Sequence, residues 1–195
     1  MRSDPPLSDD LQSASPAAAR AWVSLGGNLA WNGLLGADLF EAAMDKLEVG
    51  GFRIRARSAL WTGPAWPDPS DPAFYNAVVE GAWTGRPDAL MQLLLDVERA
   101  FGRTRSQKNA PRTLDLDLLD VEGAQGVFAG DLILPHPRLT QRAFILGPLA
   151  EAAPAWRDQK TGLSALDLFE LIENKQNYSP MSEARLGFGR NLAKT

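Results

Sequence analysis

The stretch Thr113-Leu-Asp115-Leu-Asp117-Leu-Leu-Asp-Val121 alternates leucine with aspartate, a pattern typical of a β-strand with one apolar and one polar face. Side chains two positions apart share a face of a strand, so Asp115 and Asp117 are predicted to project together, with leucines on the other face. This strand decides the fold because it completes an ordered series of elements that precede it along the chain.

Five segments upstream of this strand form the rest of the series. A short apolar run at residues 21–25, followed by two glycines, predicts a buried strand, and residues 52–60 and 75–83 predict two more. Two amphipathic helices are predicted from apolar stripes, the first formed by Leu39, Phe40, Ala43, Met44 and Leu47 and the second by Leu90, Leu93, Leu94, Val97 and Phe101. The order β-α-β-β-α-β predicts an α+β fold of the ferredoxin-like class, an antiparallel sheet with helices on one face.

The chain is predicted to have three parts. At 195 residues it is expected to hold one domain. Residues 1–17, rich in Ser, Pro, Asp and Ala, predict a disordered tail, and residues 18–156 predict the folded domain. A further helix is predicted over residues 144–153, and residues 157–195 are interpreted as a C-terminal helical extension without further assignment.

The composition excludes several classes of protein. The chain has no cysteine, which excludes disulfide scaffolds, thiolate metal sites and cysteine nucleophiles. Its single histidine, His136, excludes a metal site built on two histidines of one chain. A net charge of -4 argues against general nucleic-acid binding, and no apolar run approaches the roughly 20 residues of a membrane span. We therefore expect a cytoplasmic protein with no nucleic-acid or membrane partner.

The paired carboxylates of the last strand carry the strongest chemical signal. Two aspartates on one strand face repel each other unless a cation lies between them, and Mg²⁺ prefers such hard oxygen ligands together with phosphate oxygens and water. Two aspartates on an exposed sheet face are also common without a metal.

An arginine-rich loop lies immediately upstream of these carboxylates. Between Gly102 and the strand, the chain carries the four cations Arg103, Arg105, Lys108 and Arg112. Such a loop is either simply solvated or binds polyphosphate, which arginine clamps with its planar fork of donors. Beside the paired carboxylates, the loop favours a nucleoside triphosphate bound with Mg²⁺.

Two further motifs fit a planar ligand and its phosphates. Phe74 and Asn76 share one face of their predicted strand, which brings a stacking ring beside a bidentate amide, although Phe74 is also consistent with a core residue. His136 lies between two prolines and is followed by Arg142 and Phe144. A phosphate contact is the favoured interpretation of this second motif.

Five blocks of the chain, taken in order, form a specific combination. They are Ser24-Leu-Gly-Gly-Asn28-Leu, Phe74-Tyr-Asn76-Ala-Val-Val, Glu98-x-x-Phe-Gly-Arg103-x-Arg105, Pro111-Arg-Thr-Leu-Asp115-Leu-Asp117 and Leu134-Pro-His-Pro-Arg-Leu-x-x-Arg142-Ala-Phe144. Together they resemble the 6-hydroxymethyl-7,8-dihydropterin pyrophosphokinase family of folate biosynthesis. The resemblance spans residues 21–154, implies the ferredoxin-like fold, and makes residues 18–156 a pyrophosphokinase domain.

The resemblance implies an enzyme that transfers pyrophosphate from ATP to the hydroxymethyl group of 6-hydroxymethyl-7,8-dihydropterin and releases AMP. ATP and this pterin are the implied substrates, and two Mg²⁺ ions held by Asp115 and Asp117 are the implied cofactors. The implied catalytic residues are Arg103, Arg105 and Arg112, and the nucleotide-binding residues are Glu98, Arg103, Arg112, His136 and Arg142. The implied pterin-binding residues are Thr62, Ala65, Phe74, Asn76 and Phe144. A monomer is the expected state, with an oligomer left open.

The chain departs from the family pattern at several positions. Asn109 stands where the family commonly has a tryptophan, and Ala110 replaces the usual glycine of the arginine-rich loop. Gly27 replaces the serine of a Gly-Ser-Asn turn, and Gly63 stands where a proline is frequent. These differences predict altered loop closure and altered pterin contacts rather than a different reaction.

Three alternatives remain open on the sequence. A ferredoxin-like nucleic-acid-binding module is disfavoured by the acidic net charge and by carboxylates on the sheet. A metal-dependent phosphodiesterase or nucleotidyl transferase would use the same two aspartates, and a family member that binds its ligands without turnover would keep the same motifs. Product analysis and ligand titration distinguish these alternatives from the pyrophosphokinase.

Overall fold

The structure, a computed structural model, describes residues 17–65, 68, 70–103 and 112–181. Its strands are β1 (Ala19–Gly27), β2 (Arg53–Arg57), β3 (Trp61–Gly63), β4 (Phe74–Trp83), β5 (Asp115–Val121), β6 (Gly126–Val127), β7 (Ile133–Leu134) and β8 (Ser179–Pro180). Its α-helices are α1 (Ala37–Val49), α2 (Pro87–Ala100), α3 (Ala143–Ala152) and α4 (Ala165–Glu170). Predictions that concern residues 1–16, Arg105, Lys108, Asn109 and Ala110 lie outside the described residues.

An antiparallel sheet organises these elements. Its order is β5-β1-β4-β3-β8, and β2 also pairs with β4. In this register, Gly26 of β1 pairs with Asn76 of β4 on one side and with Asp115 of β5 on the other. Residues directly opposite each other in antiparallel strands share a face. The sheet therefore presents the Asn76 amide and the Asp115 carboxylate on the same face, with only Gly26 between them.

Different helices cover the two faces of the sheet. Val23 and Leu25 pack with the apolar stripes of α1 and α2 in one core cluster, whereas Trp22 and Val78 pack with α3 and α4 in a second cluster. The prediction of helices on one face describes α1 and α2 but is incomplete for the whole molecule. The opposite face of β1 and β4 is also apolar at Trp22 and Val78, and α3 and α4 bury it.

The predicted helical stripes account for α1 and α2. All five stripe residues of α1 are buried, and the helix is followed by Gly50 and Gly51, the latter with φ of 94°. α2 begins at Pro87, where the missing N–H removes no helical hydrogen bond. Burial of each large apolar side chain contributes about 1.5–3 kcal/mol, so the stripes hold both helices on the sheet. Within the described residues, none of the helices is long and apolar enough to span a membrane.

The strand predicted over residues 52–60 is shorter in the structure. β2 ends at Arg57, and β3, which was not predicted, begins at Trp61. Ser58 separates them: it is buried, its N–H donates to Val78 O at 2.9 Å, and its hydroxyl accepts from Val78 N–H at 3.0 Å. The side chain thus takes a backbone hydrogen bond that a continuing strand would have made, and the strand stops.

The chain beyond α3 folds back onto the sheet. Trp156 Nε1 donates to Asp120 Oδ2 of β5 at 3.0 Å, and α4 packs with α3 in the second core cluster. Further along, β8 pairs with β3 through Thr62 and Ser179. The described part of the predicted extension, residues 157–181, therefore reaches the sheet edge that carries the Thr62 segment.

Candidate active site

Asp115 and Asp117 lie together on the sheet face that α3 helps to cover. Leu116 and Leu118 are buried in the core cluster under α1 and α2, so the predicted alternation of β5 is confirmed. The two carboxylate side chains keep 26% and 35% of their surface exposed. They are thus accessible to a ligand while fixed at their base by the sheet.

Three arginines pair with these carboxylates. Arg103 Nη1 lies 2.6 Å from Asp115 Oδ1, and Arg112 Nη1 lies 2.8 Å from Asp115 Oδ2. Arg142 Nη1 lies 3.3 Å from Asp117 Oδ2. The arginines come from the end of α2, the start of β5 and the start of α3, so tertiary structure alone brings them together. Phosphate oxygens are alternative partners for the same guanidinium donors. A polyphosphate that takes these donors leaves the two carboxylates for a cation.

Glu98 is a buried carboxylate that contacts this cluster through Arg103. It lies in the last turn of α2 with only 2% of its surface exposed, accepts a hydrogen bond from Leu116 N–H at 2.6 Å, and forms an ion pair with Arg103. Burial raises the pKa of the Glu98 carboxyl to about 7, although these partners oppose the shift. Glu98 therefore joins α2 to β5 and orients Arg103, and its predicted contact with a nucleotide stays a prediction.

The raised pKa of Glu98 makes an expected contribution to the pH dependence of stability. The folded-state pKa of about 7 lies above the ordinary value of 4.5, so the folded protein holds this proton more tightly than the unfolded chain does. This contribution is present below about pH 4.5 and is lost as the pH rises through 7. We expect Glu98→Gln to flatten the pH dependence across that window, measured by urea unfolding without nucleotide or Mg²⁺ at pH 5 and pH 8. If Glu98→Gln changes the free energy of unfolding equally at both pH values, the pKa of Glu98 is not raised in the folded protein.

Asn28 belongs to the candidate site, although its role was not predicted from the sequence. Its side chain is buried, its Oδ1 accepts from Arg112 N–H at 3.0 Å, and its Nδ2 donates to Pro72 O at 3.0 Å. Its own N–H donates to Arg112 O at 3.0 Å. Asn28 thus ties the end of β1 to the base of the arginine-rich loop and to the chain that enters β4. An asparagine directly after a strand and a glycine pair is the signal that could have revealed it.

Gly26 and Gly27 contribute to the site in different ways. A Cβ at Gly26 would lie 3.6 Å from Asn76 Oδ1 and 3.8 Å from Asp115 Cβ, which are ordinary contact distances. Because Gly26 has no side chain, the sheet surface between the Asn76 amide and the Asp115 carboxylate stays open, and we call this surface the floor of the site. A Cβ at Gly27 would overlap Thr113 O and lie 3.2 Å from Thr113 C, because β1 and the start of β5 approach closely there.

Alanine substitutions at these two glycines are expected to separate stability from activity. Gly27→Ala forces backbone apart and should lower the free energy of unfolding by roughly 1–3 kcal/mol. Gly26→Ala should leave that free energy within about 0.5 kcal/mol of wild type while its methyl group narrows the floor and lowers ligand affinity. Urea unfolding and ligand titration of both variants test this, and equal losses of stability would contradict it.

The predicted ring-binding residues lie on β4, on the sheet face that carries Gly26, and at the start of α3. Asn76 is 7% exposed, and Phe74, two positions away on β4, shares its face. Phe144 lies in the first turn of α3 with the Arg142 guanidinium carbon 5.5 Å from its ring centroid. Thr62 pairs with a residue on the opposite face of β4, Tyr75, so only its backbone can face this site.

A cavity of about 410 Å³ opens beside Phe144, a size typical of small-molecule sites. Its lining includes two predicted residues, Ala65 and Phe144, together with Arg142. It also includes Asn174, Asn177 and Tyr178. These three residues belong to the C-terminal segment, residues 171–181, and no motif in the sequence pointed to them. The C-terminal segment therefore lines a cavity together with three residues that the sequence predicts for the site.

His136 lies close to Asp117 and Arg142 of the arginine–carboxylate cluster. The backbone N–H of His136 donates to Leu119 O of β5 at 2.8 Å. Nδ1 of its ring accepts a hydrogen bond from the backbone N–H of Arg138 at 3.1 Å. Because Nδ1 accepts a hydrogen bond, Nε2 carries the proton of the neutral ring. Burial lowers the pKa of His136, with the cations Arg142 and Arg138 adding to the effect and Asp117 opposing it. The ring is thus a neutral donor at physiological pH.

The carboxylate pair fits Mg²⁺ but does not form a complete metal site. Among the described residues there is no group of three or more His, Cys, Asp or Glu side chains that could hold a metal ion. Mg²⁺ commonly takes one or two carboxylates and completes its shell with water and substrate phosphates. Asp115 and Asp117 supply that minimum, and a phosphate-bearing ligand would have to supply further oxygens.

Comparisons with known proteins agree with one another. The family model described as 7,8-dihydro-6-hydroxymethylpterin-pyrophosphokinase (HPPK) matches residues 22–154. A 2-amino-4-hydroxy-6-hydroxymethyldihydropteridine pyrophosphokinase of Synechocystis is 36% identical over 153 residues, which cover 78% of this chain and 76% of that protein. The protein of the same name from Methylorubrum extorquens is 40% identical over 135 residues, covering 69% of this chain and 83% of that protein.

Solved structures show the same fold. A Plasmodium falciparum HPPK-DHPS triple mutant with pteroate aligns with a TM-score of 0.61 at 12% identity, over 86% of this chain and 47% of that one. A second HPPK-DHPS structure from the same organism, with pterin and p-hydroxybenzoate, aligns with a TM-score of 0.62. This chain spans about half the length of those solved chains, and at such low identity the likeness concerns the fold alone.

Proposed function

The chain belongs to the 7,8-dihydro-6-hydroxymethylpterin-pyrophosphokinase family of folate synthesis, and on that premise we propose that it transfers pyrophosphate from ATP to 6-hydroxymethyl-7,8-dihydropterin in an Mg²⁺-dependent reaction. The observation that carries the proposal is the row Asp115, Gly26 and Asn76 across the sheet, with arginines on the carboxylate. Neighbouring strands lie about 4.8 Å apart, so the Cα atoms of Asp115 and Asn76 are separated by roughly 10 Å. That span suits phosphates at one end and a heterocycle at the other.

The pterin half of the site holds the acceptor. Asn76 can both donate to and accept from the edge of a planar heterocycle, because its amide carries both functions. Phe74 and Phe144 supply aromatic surface for the ring, and the backbone near Thr62 and Ala65 borders the same space. In this arrangement the pterin hydroxymethyl oxygen points across Gly26 toward the carboxylates.

The phosphate half of the site holds ATP. Asp115 and Asp117 would hold two Mg²⁺ ions, which when bound neutralise phosphate charge and align the reacting oxygens. Arg103, Arg112 and Arg142 would exchange their carboxylate partners for phosphate oxygens.

The proposed reaction is an in-line displacement that needs no protein nucleophile. The hydroxymethyl oxygen attacks the β-phosphorus, the bond from that phosphorus to the oxygen bridging the α-phosphate breaks, and AMP leaves while the hydroxyl proton passes to solvent. Negative charge grows on the phosphate oxygens as this happens. Arg103, Arg112 and the Nε2–H of His136 would stabilise that charge, and Glu98 keeps Arg103 oriented toward it.

The sheet order also supports the finer ferredoxin-like interpretation of the domain. β5, β1, β4 and β2 are adjacent in that order, and α1 and α2 share one face. This topology brings the ends of β1, β4 and β5 together where the two halves of the proposed site meet.

The deciding experiment is product analysis. The full chain is incubated with ATP, Mg²⁺ and 6-hydroxymethyl-7,8-dihydropterin, and the nucleotides are separated with and without the pterin. Pterin-dependent AMP is the expected result. ADP would mean transfer of a single phosphoryl group, and products formed without pterin would point to the phosphodiesterase or nucleotidyl-transferase alternative. Binding of both ligands without any product would identify a non-catalytic family member.

A further inference from the structure

The C-terminal segment of the chain carries an aromatic residue into the proposed pterin half of the site. β8 pairs with β3, and just before it Tyr178 N–H donates to Lys175 O at 3.0 Å, which closes a short helical turn. Just after β8, Met181 N–H donates to Leu60 O at 2.7 Å. Tyr178 is thus held from both sides against the segment that follows Leu60.

Tyr178 and Gly63 occupy complementary space. A Cβ at Gly63 would overlap Cδ1 and Cε1 of the Tyr178 ring. Gly63 is not among the described glycines with positive φ, so its backbone conformation would accept an alanine. The ring of Tyr178, and not backbone strain, is therefore what requires glycine at this position. Gly63 is also the position at which the chain departs from the frequent proline of its family.

The same ring contacts Phe144. The two ring centroids lie 6.1 Å apart with the planes inclined at 46°, within the range of favourable aromatic pairs. A planar ligand sandwiched between two parallel rings needs about 7 Å between them, twice the contact distance of carbon atoms. Tyr178 is therefore too close and too inclined to be a second stacking partner across a ligand. It supports Phe144 from the side.

We propose that Tyr178 is a positioning residue for pterin binding: it fills the space beside Gly63 and fixes the Phe144 ring on which the pterin packs. The inference rests on the proposed function, because it takes the ligand of Phe144 to be the pterin. It gives the C-terminal segment a role in acceptor affinity, across the sheet from Arg103 and Arg112, which pair with Asp115 of β5.

The test is a double-mutant cycle at Tyr178 and Gly63. Tyr178→Ala should raise the KM for 6-hydroxymethyl-7,8-dihydropterin about 10-fold, since a displaced binding group misplaces the substrate, while the KM for ATP stays within about 2-fold. Tyr178→Phe should retain wild-type values because the ring, not the hydroxyl, makes the contacts. Gly63→Ala should push the ring away and raise the same KM. The double variant should be no worse than the worse single variant, because both act through one contact.

Two controls separate positioning from general damage. Thermal unfolding of each variant shows whether the fold is intact, and Leu171→Ala removes an exposed side chain of the same segment with no expected effect on either KM. An unchanged pterin KM in folded Tyr178→Ala, an equal rise of both KM values, or additive effects in the double variant would overturn the inference.

Direct binding keeps this test independent of turnover. Calorimetric titration of the pterin in the presence of α,β-methylene-ATP should show the same 10-fold loss of affinity in Tyr178→Ala, about 1.4 kcal/mol. If the wild-type protein forms no AMP, the proposed function fails. The titration then still decides whether Tyr178 positions a pterin-binding ring, and equal affinities in wild type and Tyr178→Ala would overturn that.

Discussion

Asp117→Ala is expected to abolish turnover while the protein stays folded. The proposed role of Asp117 is to hold Mg²⁺ against the phosphates, and loss of one charged ligand should lower kcat by at least about 10³-fold. Its side chain is 35% exposed and its ion pair with Arg142 lies at the surface of the cluster. Such pairs contribute about 0–1 kcal/mol, so the free energy of unfolding should change little. The measurements are AMP formation at saturating substrates and urea unfolding.

A matched control for Asp117→Ala lies on α1. Asp45 is an exposed aspartate on the solvent side of that helix, and Asp45→Ala should leave both kcat and stability close to wild type. Raising the Mg²⁺ concentration should not restore Asp117→Ala if the ligand itself is missing. Turnover near the wild-type rate in Asp117→Ala would remove the two-carboxylate metal assignment.

Arg103→Ala is expected to lower kcat by about 10²-fold or more, the cost of losing one donor that stabilises charge in the transition state. Arg103 bridges Glu98 and Asp115, so its guanidinium is already oriented before any ligand binds. The pKa of Glu98 should rise further in the variant, because Arg103 is one of the groups that lower it. Glu98 then becomes neutral at pH 7, which limits the loss of stability.

Arg99→Ala is the matched control for Arg103→Ala. Arg99 lies one helical turn earlier, is largely exposed, and pairs with Asp96 on the surface of α2. Its removal should change kcat less than about 2-fold. Arg103→Lys should recover part of the rate, since lysine keeps the charge and loses the planar fork. A wild-type rate for Arg103→Ala would show that this arginine does not reach the phosphates.

Much of the fold could be predicted because it depends on local patterning. The alternation around Asp115 and Asp117 and the stripes of α1 and α2 are properties of short segments, and burial of one face is enough to select strand or helix there. β3 and β8 were missed for the opposite reason. Strands of three and two residues have no detectable period, and they form because a neighbouring strand offers a backbone edge with which to pair.

The candidate site was predictable where a signal lies within one element. Two pairs of residues lie within single strands, Asp115 with Asp117 and Phe74 with Asn76. Because side chains two positions apart project from the same face of a strand, the spacing alone indicates that each pair shares a face. Asn28, by contrast, acts through hydrogen bonds to Arg112 and to the loop before β4, and these partners are distant in the sequence. Its role therefore emerged only from the folded chain.

By itself, the sequence determined the order of the main elements, the face shared by Asp115 and Asp117, and the resemblance to the family. Each of these depends only on local periodicity or on the spacing of motifs. Only the tertiary structure decided which arginines meet which carboxylates, which helices cover the second face, and that Tyr178 takes the space beside Gly63. Those contacts join residues more than 100 positions apart in the case of Tyr178 and Gly63. Their cause is the packing of whole elements, and no single segment encodes it.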